Sequence, residues 1–142
     1  MGWTAPKTNW AITYDNNGKS AGDFINKGDY NRIKNNIAYI QTFAEKIVYD
    51  KYPDMGADKA YLDYPRASEW NLIETALYQL AKNIGVAFPA KTFMENGFAL
   101  DVTELNRIEN MTLRLKTQYE TAVASTYRLS FTLGRKRSVI KP

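Results

Sequence analysis

Three hexapeptides decide the fold: Asp29-Tyr30-Asn31-Arg32-Ile33-Lys34, Glu69-Trp70-Asn71-Leu72-Ile73-Glu74 and Glu104-Leu105-Asn106-Arg107-Ile108-Glu109. Each reads acid, large apolar residue, Asn, a variable residue, Ile, charged residue. They recur at offsets of 40 and 35 residues. Recurrence at such spacing marks one supersecondary unit used several times. Each hexapeptide has the form of a helix start. Gly28, Ser68 and Thr103 precede the acids and are acceptable N-caps. Asp29, Glu69 and Glu104 then fall in the first turn, where the helix dipole favours a negative charge. In that register Asn31, Asn71 and Asn106 stand at N3 and bond backbone near their own caps or hold the incoming loop. Under the cap reading, Asn71→Ala costs on the order of 1 kcal/mol.

Outward from these starts, apolar residues recur at steps of three and four. The first series is Tyr30, Ile33, Ile37, Ile40, Ala44 and Ile47; the second is Trp70, Ile73, Leu77, Leu80 and Ile84. The third is Leu105, Ile108, Thr112, Leu115, Tyr119 and Ala122, with Met111 beside the weak seam member Thr112. That spacing is the buried seam of a helix lying at a shallow angle on its neighbours. Tyr30, Trp70 and Leu105 hold equivalent places and are expected to plug one end of a shared core.

The spacing predicts helices over about 29–52, stopped by Pro53, over 69–84 with Gly85 past the end, and over 104–125. The connectors are long for simple antiparallel neighbours. Extended chain covers ~3.3 Å per residue, so each connector can run back along its helix. The three starts can then share one end; an up-down bundle is the other arrangement open to the sequence. The connectors share words: Pro6-Lys7-Thr8-Asn9-Trp10 resembles Pro89-Ala90-Lys91-Thr92-Phe93, and Asp23-Phe24 is placed like Asp63-Tyr64. They read as short strands or hooks whose aromatics dock on the bundle. After the third helix, Tyr127, Leu129, Phe131 and Leu133 alternate with polar residues, which predicts a strand over 126–133 ended by Gly134.

The fold class is therefore mainly α: a three-helix bundle built from an internal repeat, with extended or β segments in the connectors and a C-terminal strand. Residues 1–133 form one domain with an extended arm over 1–28, and 134–142 form a basic tail. The tail carries Arg135, Lys136, Arg137 and Lys141 with no acid, which is the whole net charge of +4. It reads first as a solvated end that aids solubility; as a contact it suits an acidic protein surface better than nucleic acid, which four charges without a supporting basic face would hold weakly. Tyr127, Leu129, Phe131, Arg135, Lys136 and Arg137 are the candidate partner contacts, through strand addition steered by charge; cover by the hooks around Trp10 and Phe93 within the chain is the other arrangement open to the strand.

Composition removes much chemistry. The chain of 142 residues has no Cys and no His, hence no disulfide, no thiolate and no imidazole base or ligand. Aromatics reach 13%, a surplus that suits cores and interfaces. No apolar run approaches the ~20 residues of a membrane span, and the start has no secretory signal pattern. Gly18-Lys19-Ser20 imitates the end of a phosphate loop, but Thr13 stands where that motif requires Gly. Asp50, Asp54 and Asp58 lack the alternate ligands and closing Glu of a calcium loop. No catalytic residue, metal or cofactor is expected.

At its motifs the sequence resembles a known class of proteins. Trp3-Thr4-Ala5-Pro6-Lys7-Thr8-Asn9-Trp10 followed by Asp29-Tyr30-Asn31-Arg32-Ile33-Lys34-Asn35-Asn36 resembles small virion proteins of phages and prophages of Gram-positive bacteria. Leu105-Asn106-Arg107-Ile108-Glu109-Asn110 looks like a helix-start motif recurring in their tail, baseplate and fibre proteins. The resemblance implies a non-enzymatic structural or adaptor component of a phage particle. It would be assembled in the host cytoplasm and partnered by other virion proteins and copies of itself, with no membrane. A host-surface carbohydrate or peptide binding module is the second reading, and a cell-wall hydrolase a remote third. The copy with Trp70 and Leu72 departs most from the family wording.

Overall fold

A computed structural model describes residues 2–14, 16–18, 20–22, 27–60, 65–94 and 101–140; the side chains of 12–14, 20–22 and 127–140 lie outside that description. The element order is β1 (Ile12–Tyr14), β2 (Ser20–Gly22), α1 (Lys27–Ala44), α2 (Ala67–Asn83) and α3 (Val102–Ile140). The two short strands form an antiparallel hairpin, with Ile12 opposite Gly22 and Tyr14 opposite Ser20. Its turn contains Gly18 at φ +76°, a left-handed conformation that favours glycine.

The three predicted helices are present, and all three pack on one another. Their seam residues form one core: Tyr30, Ile33, Ile37 and Ile40 from α1, Trp70, Ile73, Leu77 and Leu80 from α2, Leu105, Ile108, Leu115 and Tyr119 from α3. Thr112 and Met111 both turn inward, Thr112 donating its hydroxyl to the carbonyl of Glu109 at 2.7 Å. The helices are parallel. Tyr30 and Trp70 meet edge-to-face at 5.3 Å near the starts. Farther along, the Tyr119 hydroxyl donates to the carbonyl of Leu80 at 2.5 Å.

Several boundaries differ from the sequence reading, each for a physical reason. The helices begin two residues early, so Gly28, Ser68 and Thr103 sit within first turns rather than at caps. Asp101 is the cap of α3, accepting the Glu104 N–H at 3.0 Å. Arg66 precedes α2 and makes no side-chain cap bond. Each Asn thereby becomes the fifth residue of its helix, too deep to cap it. The first helix stops at Ala44 rather than Tyr52, through a turn in which the Lys46, Ile47 and Val48 N–H groups bond back to Phe43 and Ala44. Pro53 disfavours helix at the residue before it, and the chain is already extended from Val48.

Gly85 behaves as expected. At φ +75° it donates to Lys82, and Val86 donates to Ala81, closing α2 in a Schellman arrangement.

The C-terminal strand is overturned: residues 126–133 continue α3. Tyr127 and Phe131, like Leu129 and Leu133, are also spaced i,i+4. Extending an existing helix gains a hydrogen bond per residue, whereas a lone strand leaves its backbone unpaired. Gly134 costs a helix only ~1 kcal/mol and does not end it. With 39 residues, against 18 and 17 for α1 and α2, α3 runs beyond both. Val123 is its last buried side chain among the described residues.

Candidate functional site

Three parallel helices leave three grooves, and in each groove an extended strap runs antiparallel to the helices. The arm (residues 2–11) lies between α3 and α1, residues 48–60 between α1 and α2, and residues 86–94 between α2 and α3. Trp3 contacts Tyr39 far along α1, whereas Trp10 reaches Asn106 at the start of α3. Likewise Lys51 accepts from Gln79 late in α2, whereas Lys59 meets Asn31 early in α1.

The motif asparagines hold these straps. A carboxamide offers one acceptor and two donors in a plane, so it can pair with the N–H and C=O of one extended residue. Asn31 pairs in this way with Lys59 at 2.7 and 3.1 Å. Asn71 takes Phe93 at 2.7 and 2.9 Å, and Asn106 takes Trp10 at 2.8 and 3.0 Å. Asn36, one turn along α1, does the same for Thr4 at 2.9 and 2.7 Å. The structure thus corrects the near-cap expectation: the partners are 28, 22 and 96 residues away in sequence.

Beside two of the asparagines lies a buried ion pair. Glu109 is fully buried. It accepts Arg32 Nε at 2.8 Å, Arg32 Nη2 at 2.9 Å and the Lys7 N–H at 3.1 Å, together with the Trp10 indole N–H. Glu74 is 1% exposed. It accepts both terminal nitrogens of Arg107 and the Lys91 N–H at 3.3 Å. Burial works against the charge of each guanidinium. Hydrogen bonds to Glu109 and Asp29 outweigh it at Arg32, and those to Glu74 and Glu104 at Arg107, so both are held above the ordinary arginine range. The third groove exchanges the chemistry. Leu72 replaces the arginine and Lys34 the glutamate, and Lys34 Nζ instead donates to the Gly56 carbonyl at 3.0 Å and pairs with Asp58 at 2.6 Å.

The remaining motif residues support the same contacts. Tyr30, Ile33, Trp70, Ile73, Leu105 and Ile108 are buried in the core. Asp29 pairs with Arg32, Glu69 with Lys59, and Glu104 with Lys91 and Arg107. Burial also lifts the Tyr30 phenol to about 12, with the Glu69 charge adding to it. Trp10 and Phe93 dock as the hook reading expects; the Asp23-Phe24 and Asp63-Tyr64 segments fall outside the described residues. The candidate partner contacts Tyr127, Leu129, Phe131, Arg135, Lys136 and Arg137 lie on the α3 extension, where side chains are outside the description. The three aspartates diverge: Asp50 accepts from Asn83, Asp54 from the Gly56 N–H, and Asp58 from Asn35. Among the described residues no three acidic side chains gather as metal ligands, and no helix is long and apolar enough to cross a membrane.

Sequence reading missed the ion pairs, although the signal was present. The motif's variable position holds Arg32 and Arg107, and its final charged position holds Glu74 and Glu109. An arginine there faces the glutamate of the preceding helix in the cycle, across the strap.

Glu104 gives a pH test. Burial pushes its carboxyl up, but hydrogen bonds and charge from Lys91 and Arg107 outweigh this and hold it below the ordinary range. Its contribution is then complete above the unfolded carboxyl value of ~4.3 and lost as pH falls through the lower folded value. In urea unfolding, Glu104→Gln should be less stable than the parent by about 1–2 kcal/mol at pH 7. The gap should narrow as pH falls below ~4.3. A gap independent of pH would place its origin outside ionisation.

No protein-family model, no curated protein and no solved structure matches the chain.

Proposed function

We propose that this chain is one strap-and-helix unit used three times, and that it serves as a non-enzymatic structural or adaptor component of a bacteriophage particle at the tail, baseplate or a fibre attachment. The observation that carries the structural part is the use made of the buried charge. Glu74 and Glu109 are each bound by a forked guanidinium and by a strap N–H. Groups committed in this way hold chain segments in place. The hexapeptide recurrence supports the repeat, since equivalent motif positions do equivalent work in two grooves and the third substitutes both partners together. The particle assignment rests on the likeness of the arm and helix-start motifs to phage virion proteins.

Purified particles from the phage or prophage encoding the chain test this reading. Mass spectrometry should find the protein in a fixed ratio to a tail or baseplate protein, and deleting its gene should yield particles lacking that substructure. Absence from intact particles would contradict it. Retention of particle structure with loss of adsorption would favour the host-surface binding reading.

A further inference from the structure

The three straps do not close their grooves in the same way. The 48–60 strap joins α1 to α2, and the 86–94 strap joins α2 to α3, so each is continuous in sequence with both walls of its groove. The arm is continuous only with α1, through the segment that carries β1 and β2. Its other wall, α3, is 96 residues away where Trp10 meets Asn106. The arm is held on α1 and α3: Trp3 meets Tyr39, Thr4 meets Asn36, Lys7 and Trp10 meet Glu109, Trp10 meets Asn106, and Lys116 lies over the Trp3 ring at 5.3 Å. The Tyr30–Trp70 contact between α1 and α2 and the Tyr119–Leu80 bond between α3 and α2 do not involve the arm.

The groove reads its occupant in a simple way. Asn36 and Asn106 take backbone only, and Glu109 takes one backbone N–H and one indole N–H. Two tryptophans seven positions apart supply the anchors. Without an occupant, Glu109 would lose two of its donors while remaining beside Arg32. Any chain presenting residues 2–11 satisfies the site equally well.

We propose that the α3–α1 groove is a site for the arm of a second copy of this chain, so that arm exchange links neighbouring copies. This deepens the assembly reading by naming one partner. Contacts made within a chain and between chains are the same, so the balance is set by protein concentration against the effective concentration of the chain's own arm, on the order of mM for linked segments. Exchange of an identical element is a low-cost route to linked copies. It is expected where copies are crowded, as in an assembled particle, and in solution near that concentration.

The test uses the intact chain. Equal amounts of nitrogen-14 and nitrogen-15 protein are unfolded together, refolded at about millimolar concentration, and treated with an amine-to-amine linker. Lys7 lies beside Glu109, and Lys116 is two turns farther along α3, ~10 Å away, so the two amines are within linker reach. Arm exchange predicts Lys7–Lys116 peptides of mixed label, enriched in the oligomeric fraction and increasing with protein concentration. Links of single label in every fraction would overturn it. Single-label links inside a genuine oligomer would overturn arm exchange alone and leave the assembly reading with another interface. A strictly monomeric protein at this concentration would also overturn exchange, whereas the assembly reading would still be decided by the particle composition.

Discussion

Arg32→Ala should lower the free energy of unfolding by about 3–5 kcal/mol, measured by urea denaturation at pH 7. Arg32 grips both oxygens of Glu109, whose side chain is 0% exposed. Removing the guanidinium leaves a buried carboxylate with, among the described residues, the Lys7 N–H and the Trp10 indole as its remaining donors. Uncompensated buried charge, not the lost attraction, dominates the cost. The double variant Arg32→Leu with Glu109→Leu should therefore be more stable than Arg32→Ala, because it removes the stranded charge. The α1–α2 groove already manages without this pair: Leu72 stands at the arginine position and Lys34 turns to the strap. A loss below ~0.5 kcal/mol for Arg32→Ala, the scale of an ordinary surface change, would show that the carboxylate is not buried as described.

Asn71→Ala should cost about 2–3 kcal/mol, more than the ~1 kcal/mol of a lost helix cap. The side chain satisfies both backbone groups of Phe93, a residue that is itself buried and belongs to no sheet. Truncation removes both of these hydrogen bonds at once, each worth about 1–1.5 kcal/mol. Asn71→Asp offers a sharper comparison. It retains an acceptor for the Phe93 N–H but loses the donor and places an acidic oxygen against the Phe93 carbonyl. It should fall well below the parent at pH 7 and recover part of the loss when protonated. Equal stability of parent and Asn71→Ala would show the strap to be held without the carboxamide.

Much of this architecture can be read from the chain because its signals are local. The three-four spacing from Tyr30, Trp70 and Leu105 gives the three buried seams, and connector length makes a parallel bundle possible. What the asparagines hold is not local: an Asn in the fifth position of a helix carries no mark of a partner 96 residues away. The caps were misplaced because Gly28, Ser68 and Thr103 are good capping residues, but Asp101 is better sited and actually accepts the N–H of Glu104. The C-terminal strand failed for a different reason. Tyr127, Leu129, Phe131 and Leu133 satisfy a period of two and i,i+4 spacing together, and a helix already propagating from Val102 decides between them. The arginine–glutamate pairs were hidden in the motif's least constrained positions, where Arg32, Leu72 and Arg107 look interchangeable until the neighbouring helix is known.

The central claim is that motif asparagines clamp extended straps into the grooves of a parallel bundle. Amide hydrogen exchange on the intact chain, read residue by residue, tests it most directly. The N–H groups of Trp10, Lys59 and Phe93 lie outside every helix and sheet, yet each donates to an asparagine at 2.7–2.8 Å. They should exchange orders of magnitude more slowly than an open extended chain, with protection approaching that of helix interiors. Asn106→Ala, Asn31→Ala and Asn71→Ala should each release the amide of its own strap first. Exchange of all three amides at unfolded-chain rates, in a protein whose helices remain protected, would contradict the clamp and the fold built on it.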